Sequence, residues 1–217
     1  TVLYAGYGNA PYYYSEANDR WTRVTTSDGG SAHSFPAPPT DSITVRMAGT
    51  DYVVVAFTSG FAYFSSSVVV TQNTSTATNF LTYWDDRLWG IDSTGQLWYT
   101  LTIGGTPVND AKLPVQDDYV TDLFVGRDAT GEQIIYAATK TGLYAHDFAN
   151  QRWVETQFQL PFHNFNGTGS VRWRDSIYTP SGLGIYKYIN GSNNAVITVM
   201  GPDRDDGIPA TYRGTIK

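Results

Sequence analysis

Acidic side chains decide whether this sequence could cleave glycosides, because glycoside hydrolysis needs two carboxylates that flank the scissile bond. Three glutamates are present, each on a predicted turn or outer strand: Glu16, Glu132 and Glu155. Asp122 is the one acidic residue that we expect on an inner strand. The pairs Asp85-Asp86 and Asp117-Asp118 precede strands, where aspartate commonly forms turns. The pattern predicts no pair of catalytic carboxylates.

Histidine and cysteine chemistry is equally sparse. His33 lies in a loop rich in serine and proline, His146 ends a predicted strand, and His163 lies in a second loop. We interpret all three as solvated side chains, and the Gly-x-Ser-x-Gly motif of a nucleophilic serine does not occur. The sequence contains no cysteine, which excludes disulfides and cysteine-ligated zinc. We therefore predict that the protein is not an enzyme.

A run of aspartates near the end of the sequence is the candidate metal site. The segment Asp203-Arg204-Asp205-Asp206-Gly207 offers oxygen ligands at alternating positions before a glycine, as calcium sites do. Its spacing departs from that of an EF-hand loop, and aspartates bonded to nearby backbone N–H groups would also explain a simple turn. Ca²⁺ bound by Asp203, Asp205 and Asp206 remains the alternative, and we predict no other cofactor.

The densest aromatic stretch extends from residue 84 to residue 99 and is the candidate sugar site. Tryptophan and tyrosine rings stack on the apolar face of a pyranose, while polar side chains bond to its hydroxyls. Most of these aromatics recur at equivalent positions of the repeat described next, which indicates core packing. The candidate ligand-binding residues that remain are Trp84, Asp86, Arg87 and Tyr99.

Five segments repeat one order: an apolar strand, a short turn that usually contains glycine, and a second strand that carries aromatics. Their equivalent apolar residues are Leu3, Val53, Leu88, Ile135 and Ile177. These positions lie 35 to 50 residues apart, which is typical of four-stranded propeller blades. Further apolar segments before and after each hairpin predict the remaining strands. We place one fourth strand at residues 68–70 and expect an irregular one near residues 107–113.

The sequence therefore predicts an all-β, five-bladed β-propeller with four antiparallel strands per blade, formed by residues 1–217 as a single domain. The blades comprise residues 1–30 with 211–217, then 41–73, 78–114, 118–157 and 167–200. The first copy lacks an inner strand, and a C-terminal strand over residues 212–216 would supply it and close the ring, which removes an open sheet edge. Two alternatives stay open: a β-sandwich with regularly spaced strands, and a fragment of a longer propeller.

The charge of the sequence limits its partners. The net charge at pH 7 is −6, and the 14 lysines and arginines are scattered along the chain. Phosphate backbones are bound by clustered basic side chains, so we predict no nucleic-acid partner. The longest apolar run, residues 52–57, has only the length of a strand. We therefore predict no membrane insertion.

Two sets of short motifs resemble known propellers. The element Gly95-Gln96-Leu97-Trp98 resembles the repeat of tectonin-type propeller lectins. Residues 52–100, in which Val53-Val54-Val55-Ala56 is followed by Asp85-Asp86-Arg87-Leu88-Trp89-Gly90, resemble propeller-containing structural proteins of tailed bacteriophages. The tail at residues 205–214 resembles the final loop between blades in those proteins. The second resemblance implies a tail, fibre or capsid-surface component.

We therefore predict a non-enzymatic structural or adhesive propeller, located in a virion or outside the cell, that displays loops for assembly or host-surface contact. The expected partners are other structural proteins of an assembly and a surface glycan. A carbohydrate-binding propeller lectin is the first alternative, and a glycoside hydrolase-like enzyme is the second.

Overall fold

The computed structural model describes residues 4–25, 33–65, 70–181, 184–191 and 195–200, and these residues are almost entirely β-structure. They form nineteen strands and one short 3₁₀ helix, Glu16–Asn18. None of the helical structure in these ranges is long and apolar enough to cross a membrane. The all-β class expected from the aromatic and β-branched composition is confirmed.

The strands form five antiparallel sheets, each built from strands that are consecutive in the chain. Sheet 1 has three strands and the others have four. Sheet 1 contains β1 (Tyr4–Tyr7), β2 (Ala10–Ser15) and β3 (Arg20–Arg23). Sheet 2 contains β4 (Asp41–Met47), β5 (Thr50–Phe57), β6 (Gly60–Phe64) and β7 (Thr71–Asn73). Sheet 3 contains β8 (Phe80–Trp84), β9 (Arg87–Ile91), β10 (Gln96–Thr100) and β11 (Val108–Lys112).

The two remaining sheets follow the same pattern. Sheet 4 contains β12 (Val120–Arg127), β13 (Gln133–Thr139), β14 (Gly142–Asp147) and β15 (Arg152–Gln159). Sheet 5 contains β16 (Val171–Trp173), β17 (Ser176–Ser181), β18 (Gly184–Ile189) and β19 (Val196–Met200). The strand predicted over residues 212–216 lies outside the described residues, so ring closure stays a prediction.

Two fourth strands differ from their predictions. In sheet 2 the strand is Thr71–Asn73 rather than residues 68–70, and Val70 is buried against the hydrophobic core just before it. In sheet 3 the segment expected to be irregular is the regular strand β11, in which Ala111 is buried. The Leu113 N–H donates to the Gly95 carbonyl at 2.8 Å, which extends the backbone pairing one residue beyond the end of β11. Backbone hydrogen bonds therefore make β11 a regular strand, although its polar sequence does not indicate one.

Tight turns connect the first two strands of several sheets. Met47 pairs with Thr50 across Ala48 and Gly49, whose φ angles are 49° and 81°. Trp84 pairs with Arg87 across two aspartates with φ angles of 52° and 53°. Two successive positive φ angles characterise the type I′ turn, whose twist matches that of the strands it joins. The aspartates at 85 and 86 thus form a turn, as their residue type predicts.

The chain divides into two compact units. Unit 1 comprises residues 1–92 and 98–109, and unit 2 comprises residues 93–97 and 110–217. The prediction of a single domain over residues 1–217 stays a prediction.

In unit 1, strand β5 contributes to two hydrophobic clusters through its alternating side chains. Val54 and Ala56 belong to a cluster with side chains of β4, β6, β8, β9 and β10. Val55 and Phe57 belong to another, which includes Phe35. Because successive strand residues point to opposite faces, β5 is covered on both sides.

In unit 2, one hydrophobic cluster joins sheets 4 and 5. Tyr136 and Leu143 of sheet 4 pack with Ile177 and Tyr188 of sheet 5, and Phe158 of β15 lies among them. The Tyr136 hydroxyl donates to the Arg127 carbonyl at 2.7 Å, which satisfies its polar end. Burial raises the pKa of Tyr136 well above its usual value. The tyrosine therefore serves as a core residue in its neutral form.

Gly90 in β9 makes room for a buried aromatic ring in unit 1. A Cβ at this position would overlap the Trp98 indole, which is 1% exposed and stacks on Phe61 with 5.0 Å between ring centroids. The absence of a side chain at residue 90 is therefore a packing requirement.

We expect Gly90→Ala to destabilise the protein by about 1–3 kcal/mol, since the added methyl forces the Trp98 ring out of its stack. Urea unfolding followed by tryptophan fluorescence measures the change. Ser42→Thr, which also adds one methyl but at an exposed position of β4, is the control and should change the free energy of unfolding by less than about 0.5 kcal/mol. Equal stabilities for Gly90→Ala and the unmodified protein would contradict the packing argument.

Candidate functional site

The four residues predicted to bind a ligand lie around the turn between β8 and β9 and on β10. Arg87 lies over an aromatic pair: its guanidinium carbon is 5.0 Å from the Tyr99 ring centroid and 6.0 Å from that of Trp89. A nitrogen of the same guanidinium is 3.8 Å from Asp85. A cation thus covers one face of Tyr99, where a sugar ring would otherwise stack.

Asp86 and Trp84 make other contacts. The Tyr83 hydroxyl donates to the Arg46 carbonyl at 2.9 Å and lies 3.2 Å from the Asp86 carboxylate. The Trp84 carbonyl accepts a hydrogen bond from the Trp89 indole at 3.1 Å. The structure brings Arg87 and Tyr99 together but places Asp86 beside Tyr83. Ligand binding by these four residues stays a prediction.

The predicted calcium ligands Asp203, Asp205 and Asp206 lie outside the described residues, so that site also stays a prediction. Within the ranges that the structure describes, no group of three or more histidine, aspartate or glutamate side chains could hold a metal ion.

The interpretation of His146 as a solvated residue is wrong. His146 lies in β14 and is 2% exposed, and its Nε2 is 2.8 Å from Asp110 Oδ1 in β11. The Phe148 and Trp153 rings contact the imidazole edge-on, with centroids 4.2 Å and 5.1 Å away. His33 is buried too, with Nε2 2.8 Å from the Gln72 amide. The loop and strand-end positions of these residues in the sequence did not indicate this burial.

His146 and Asp110 form a polar pair inside unit 2. Burial lowers the pKa of His146, against the opposing effect of Asp110. We assign the neutral imidazole with its proton on Nε2, because that atom faces a carboxylate acceptor. The Ala111 N–H also donates to Asp110 Oδ1, at 2.6 Å. With a side chain that has no exposed surface, His146 is placed to hold strands together rather than to exchange protons with a substrate.

One buried carboxylate at the start of a sheet was not predicted from the sequence. Asp41 begins β4, and its two oxygens accept hydrogen bonds from the backbone N–H groups of Ser42 at 2.7 Å and Leu81 at 2.8 Å. Burial raises the pKa of Asp41. Asp122, which was predicted on an inner strand, lies in β12, the first strand of sheet 4, and accepts from the Leu123 N–H at 2.8 Å. Both carboxylates accept hydrogen bonds from backbone N–H groups and thereby stabilise the strands.

A depression of 380 Å³ opens beside His146 at one end of sheet 4. It is lined by the start of the turn that follows β12, by residues of β13, β14 and β15, by Phe148 just after β14, and by Asn190, which follows β18. Its polar groups are the carboxylates of Asp128 and Asp147 and the Asn190 amide, and the rest of its wall is mostly apolar.

Comparison with known proteins indicates the fold alone. No protein-family model and no curated protein matches the chain. The extracellular domain of a putative hybrid two-component system from B. thetaiotaomicron matches with a TM-score of 0.63 and 13% identity, over 89% of this chain and 25% of that one. A streptogramin B lyase structure matches with a TM-score of 0.61 and 11% identity, over 92% of this chain and 64% of that one.

A third match, Sqt1 of Saccharomyces cerevisiae, has a TM-score of 0.61 and 11% identity, over 88% of this chain and 56% of that one. These neighbours are β-propeller-like, so the chain has a propeller-like fold. The chain spans only about a quarter of the length of the B. thetaiotaomicron domain. None of the three is a phage tail protein, and the link to phage structural proteins stays a prediction.

The buried histidine makes stability depend on pH. In the unfolded chain His146 takes up a proton near its ordinary pKa of 6.5, whereas the folded protein resists protonation to a lower pH. The unfolded state therefore binds more protons in this window, and stability falls as the pH falls through it. We expect the free energy of unfolding to drop more steeply from about pH 7.5 to about pH 5 than it does in His146→Gln, as measured by urea unfolding.

His163→Gln is the matched control for this comparison, since His163 lies half-exposed in a loop. It should unfold within about 0.5 kcal/mol of the unmodified protein at about pH 7.5. If the profiles of His146→Gln and the unmodified protein are parallel, the assignment of a buried neutral imidazole is wrong.

Proposed function

We propose that the protein is a non-enzymatic β-propeller module of a larger assembly, a virion or tail component that displays rigid loops to a structural partner or a host surface. The observation that carries this proposal is a loop in unit 2, residues 160–170 between β15 and β16, called the aromatic loop below. It combines a firmly bonded backbone with exposed aromatic side chains.

A buried asparagine anchors the aromatic loop. Asn166 is 1% exposed, and its side-chain amide donates to the carbonyls of Lys140 at 2.7 Å and Pro161 at 2.8 Å. The Gly167 N–H bonds to the Pro180 carbonyl at 2.8 Å, and the Ser170 hydroxyl bonds to the Gly167 carbonyl at 2.7 Å. These bonds tie the loop to sheets 4 and 5, so its conformation is set before any partner binds.

Two aromatic side chains of the aromatic loop are exposed to solvent. Phe162 is 54% exposed and Phe165 is 39% exposed. Phe162 packs against Tyr119 with 5.5 Å between ring centroids, and the Lys140 ammonium lies 5.7 Å from the Tyr119 ring. Exposed aromatics held on a rigid backbone are typical of binding hot spots, because little conformational entropy is lost when they are covered.

Asn166 begins an Asn-Gly-Thr glycosylation motif, yet its amide nitrogen already donates two hydrogen bonds inside the protein. Its role in the proposal is therefore to fix the loop and not to carry a glycan. An extracellular location is supported by the B. thetaiotaomicron neighbour, which is an extracellular domain. Five blades, with residues 212–216 closing the first, form part of the same proposal.

The aromatic loop should be required for incorporation into the assembly. We expect Phe162→Ser/Phe165→Ser to lower incorporation at least about tenfold, which corresponds to roughly 1.4 kcal/mol of lost contact energy. The measurement is sedimentation of native particles through a sucrose gradient, with the protein detected by an antibody in each fraction. A protein that sediments alone in its native source would contradict the proposal.

Leu101→Ser is the matched control, because Leu101 is 64% exposed but lies in unit 1. This variant should be incorporated normally. Both variants should unfold within about 0.5 kcal/mol of the unmodified protein, as expected for exposed positions. Normal incorporation of the double variant would show that the aromatic loop is not the contact.

A further inference from the structure

We propose that the depression at the end of sheet 4 binds a neutral sugar. This site is separate from the aromatic loop, and its occupancy does not depend on the function proposed above.

Asp128 lines the depression, and only one of its carboxylate oxygens is used within the described part of the protein. Asp128 Oδ1 accepts three hydrogen bonds within its own turn, from the Thr130 N–H and hydroxyl at 2.8 Å and from the Glu132 N–H at 2.9 Å. No described residue donates to the second oxygen, Oδ2. The turn therefore fixes the carboxylate while one of its oxygens stays open to a ligand.

Asn190 supplies a second acceptor. Its amide nitrogen donates to the Tyr136 hydroxyl at 2.9 Å, and that hydroxyl is itself bonded to the Arg127 carbonyl. This bond orients the amide and, among the described residues, leaves its carbonyl oxygen without a donor. Two fixed acceptors at one site match a ligand that offers two hydroxyl donors.

The negative charge of the second carboxylate, Asp147, is balanced by a cation within the protein. It accepts from the Asn150 amide nitrogen at 2.8 Å and from Arg152 Nε at 3.1 Å, and these partners hold its pKa below the ordinary value. Asp147 therefore shapes the depression and adds little net charge. No lysine or arginine in the described ranges pairs with Asp128, and the nearby Arg127 pairs with Asp175 at 3.4 Å instead.

The apolar part of the wall consists of Ile134, Ala145, Phe148 and Val154. The Phe148 ring is held by its edge-on contact with His146. Apolar and aromatic surface beside fixed acceptors fits the C–H face and the hydroxyls of a pyranose. The uncompensated charge of Asp128 disfavours phosphates and uronic acids, so the ligand class is a neutral hexose.

The test is an NMR titration of the ¹⁵N-labelled protein with the methyl glycosides of glucose, galactose and mannose, and with glucuronic acid as the anionic probe. At least one neutral glycoside should shift the Asn190 side-chain amide and the Ala129 and Ala145 backbone amides, with a Kd of about 1 mM, as suits an open site with few contacts. Glucuronic acid should bind at least about tenfold more weakly because of Asp128.

One variant tests the Asp128 acceptor, and a second tests whether the ligand occupies the depression. Asp128→Asn keeps an oxygen for the three turn donors and replaces the open acceptor with an amide donor, so it should weaken binding at least about tenfold. Ala129→Tyr should fill the depression from its edge and abolish the shifts. Asp51→Asn and Ala149→Tyr repeat these changes at exposed positions that do not line the depression and should bind normally.

The amide spectrum of each variant confirms that it is folded before titration. Absence of binding by every neutral glycoside at about fifty times the expected Kd would overturn the inference, and so would unchanged affinity in folded Asp128→Asn or Ala129→Tyr. Equal affinity for glucuronic acid would overturn the assigned ligand class. None of these outcomes bears on particle incorporation through the aromatic loop.

Discussion

Burial of both faces of the sheets is the constraint on which the structure of each unit depends. In strand β5 the alternating residues Val54 and Val55 belong to different hydrophobic clusters on opposite sides of sheet 2. A sheet with two apolar faces cannot remain in water on either side, and its strands become nearly continuous apolar runs. Strand β13 shows the same property, since all five residues from 135 to 139 are buried. Sheets built in this way require neighbours, which explains why the chain repeats one meander instead of forming a single larger sheet.

Large aromatic rings make this burial specific. Trp98 fits because residue 90 has no side chain, and Tyr136 fits because Gly126 leaves room for its ring. The tyrosine hydroxyl still finds a carbonyl partner, so the ring is buried without the cost of an unsatisfied polar group. Shape and hydrogen bonding together fix how the sheets pack. Hydrogen bonds also fix the conformation of the aromatic loop at the surface. The Asn166 amide donates to the Pro161 carbonyl within the loop and to the Lys140 carbonyl outside it.

The strands could be predicted from the sequence where local chemistry agreed with tertiary packing. The hairpins combine period-two patterns with glycine or aspartate turns, and these features are local. The location of strand β11 was predicted but its regularity was not, because only Ala111 of its five residues is buried and the strand depends on pairing with β10. His146 was misjudged for a related reason: its partner Asp110 lies 36 residues away in sequence. A buried polar pair is recognisable only when both strands are placed.

Candidate sites were harder to predict than strands because residue type does not reveal exposure. Trp89 and Trp173 are the same residue type, yet Trp89 is fully buried whereas Trp173 is 59% exposed. Arg87 similarly covers Tyr99 with its guanidinium, and the sequence alone could not distinguish that contact from an open sugar platform. The depression in unit 2 has no aromatic-rich motif to mark it. It depends on which carboxylate oxygen a turn consumes and which it leaves open, and that choice is made by the backbone N–H groups of the Asp128 turn. The polar atoms that the turns leave unused therefore determine which ligands the proposed sugar site could bind.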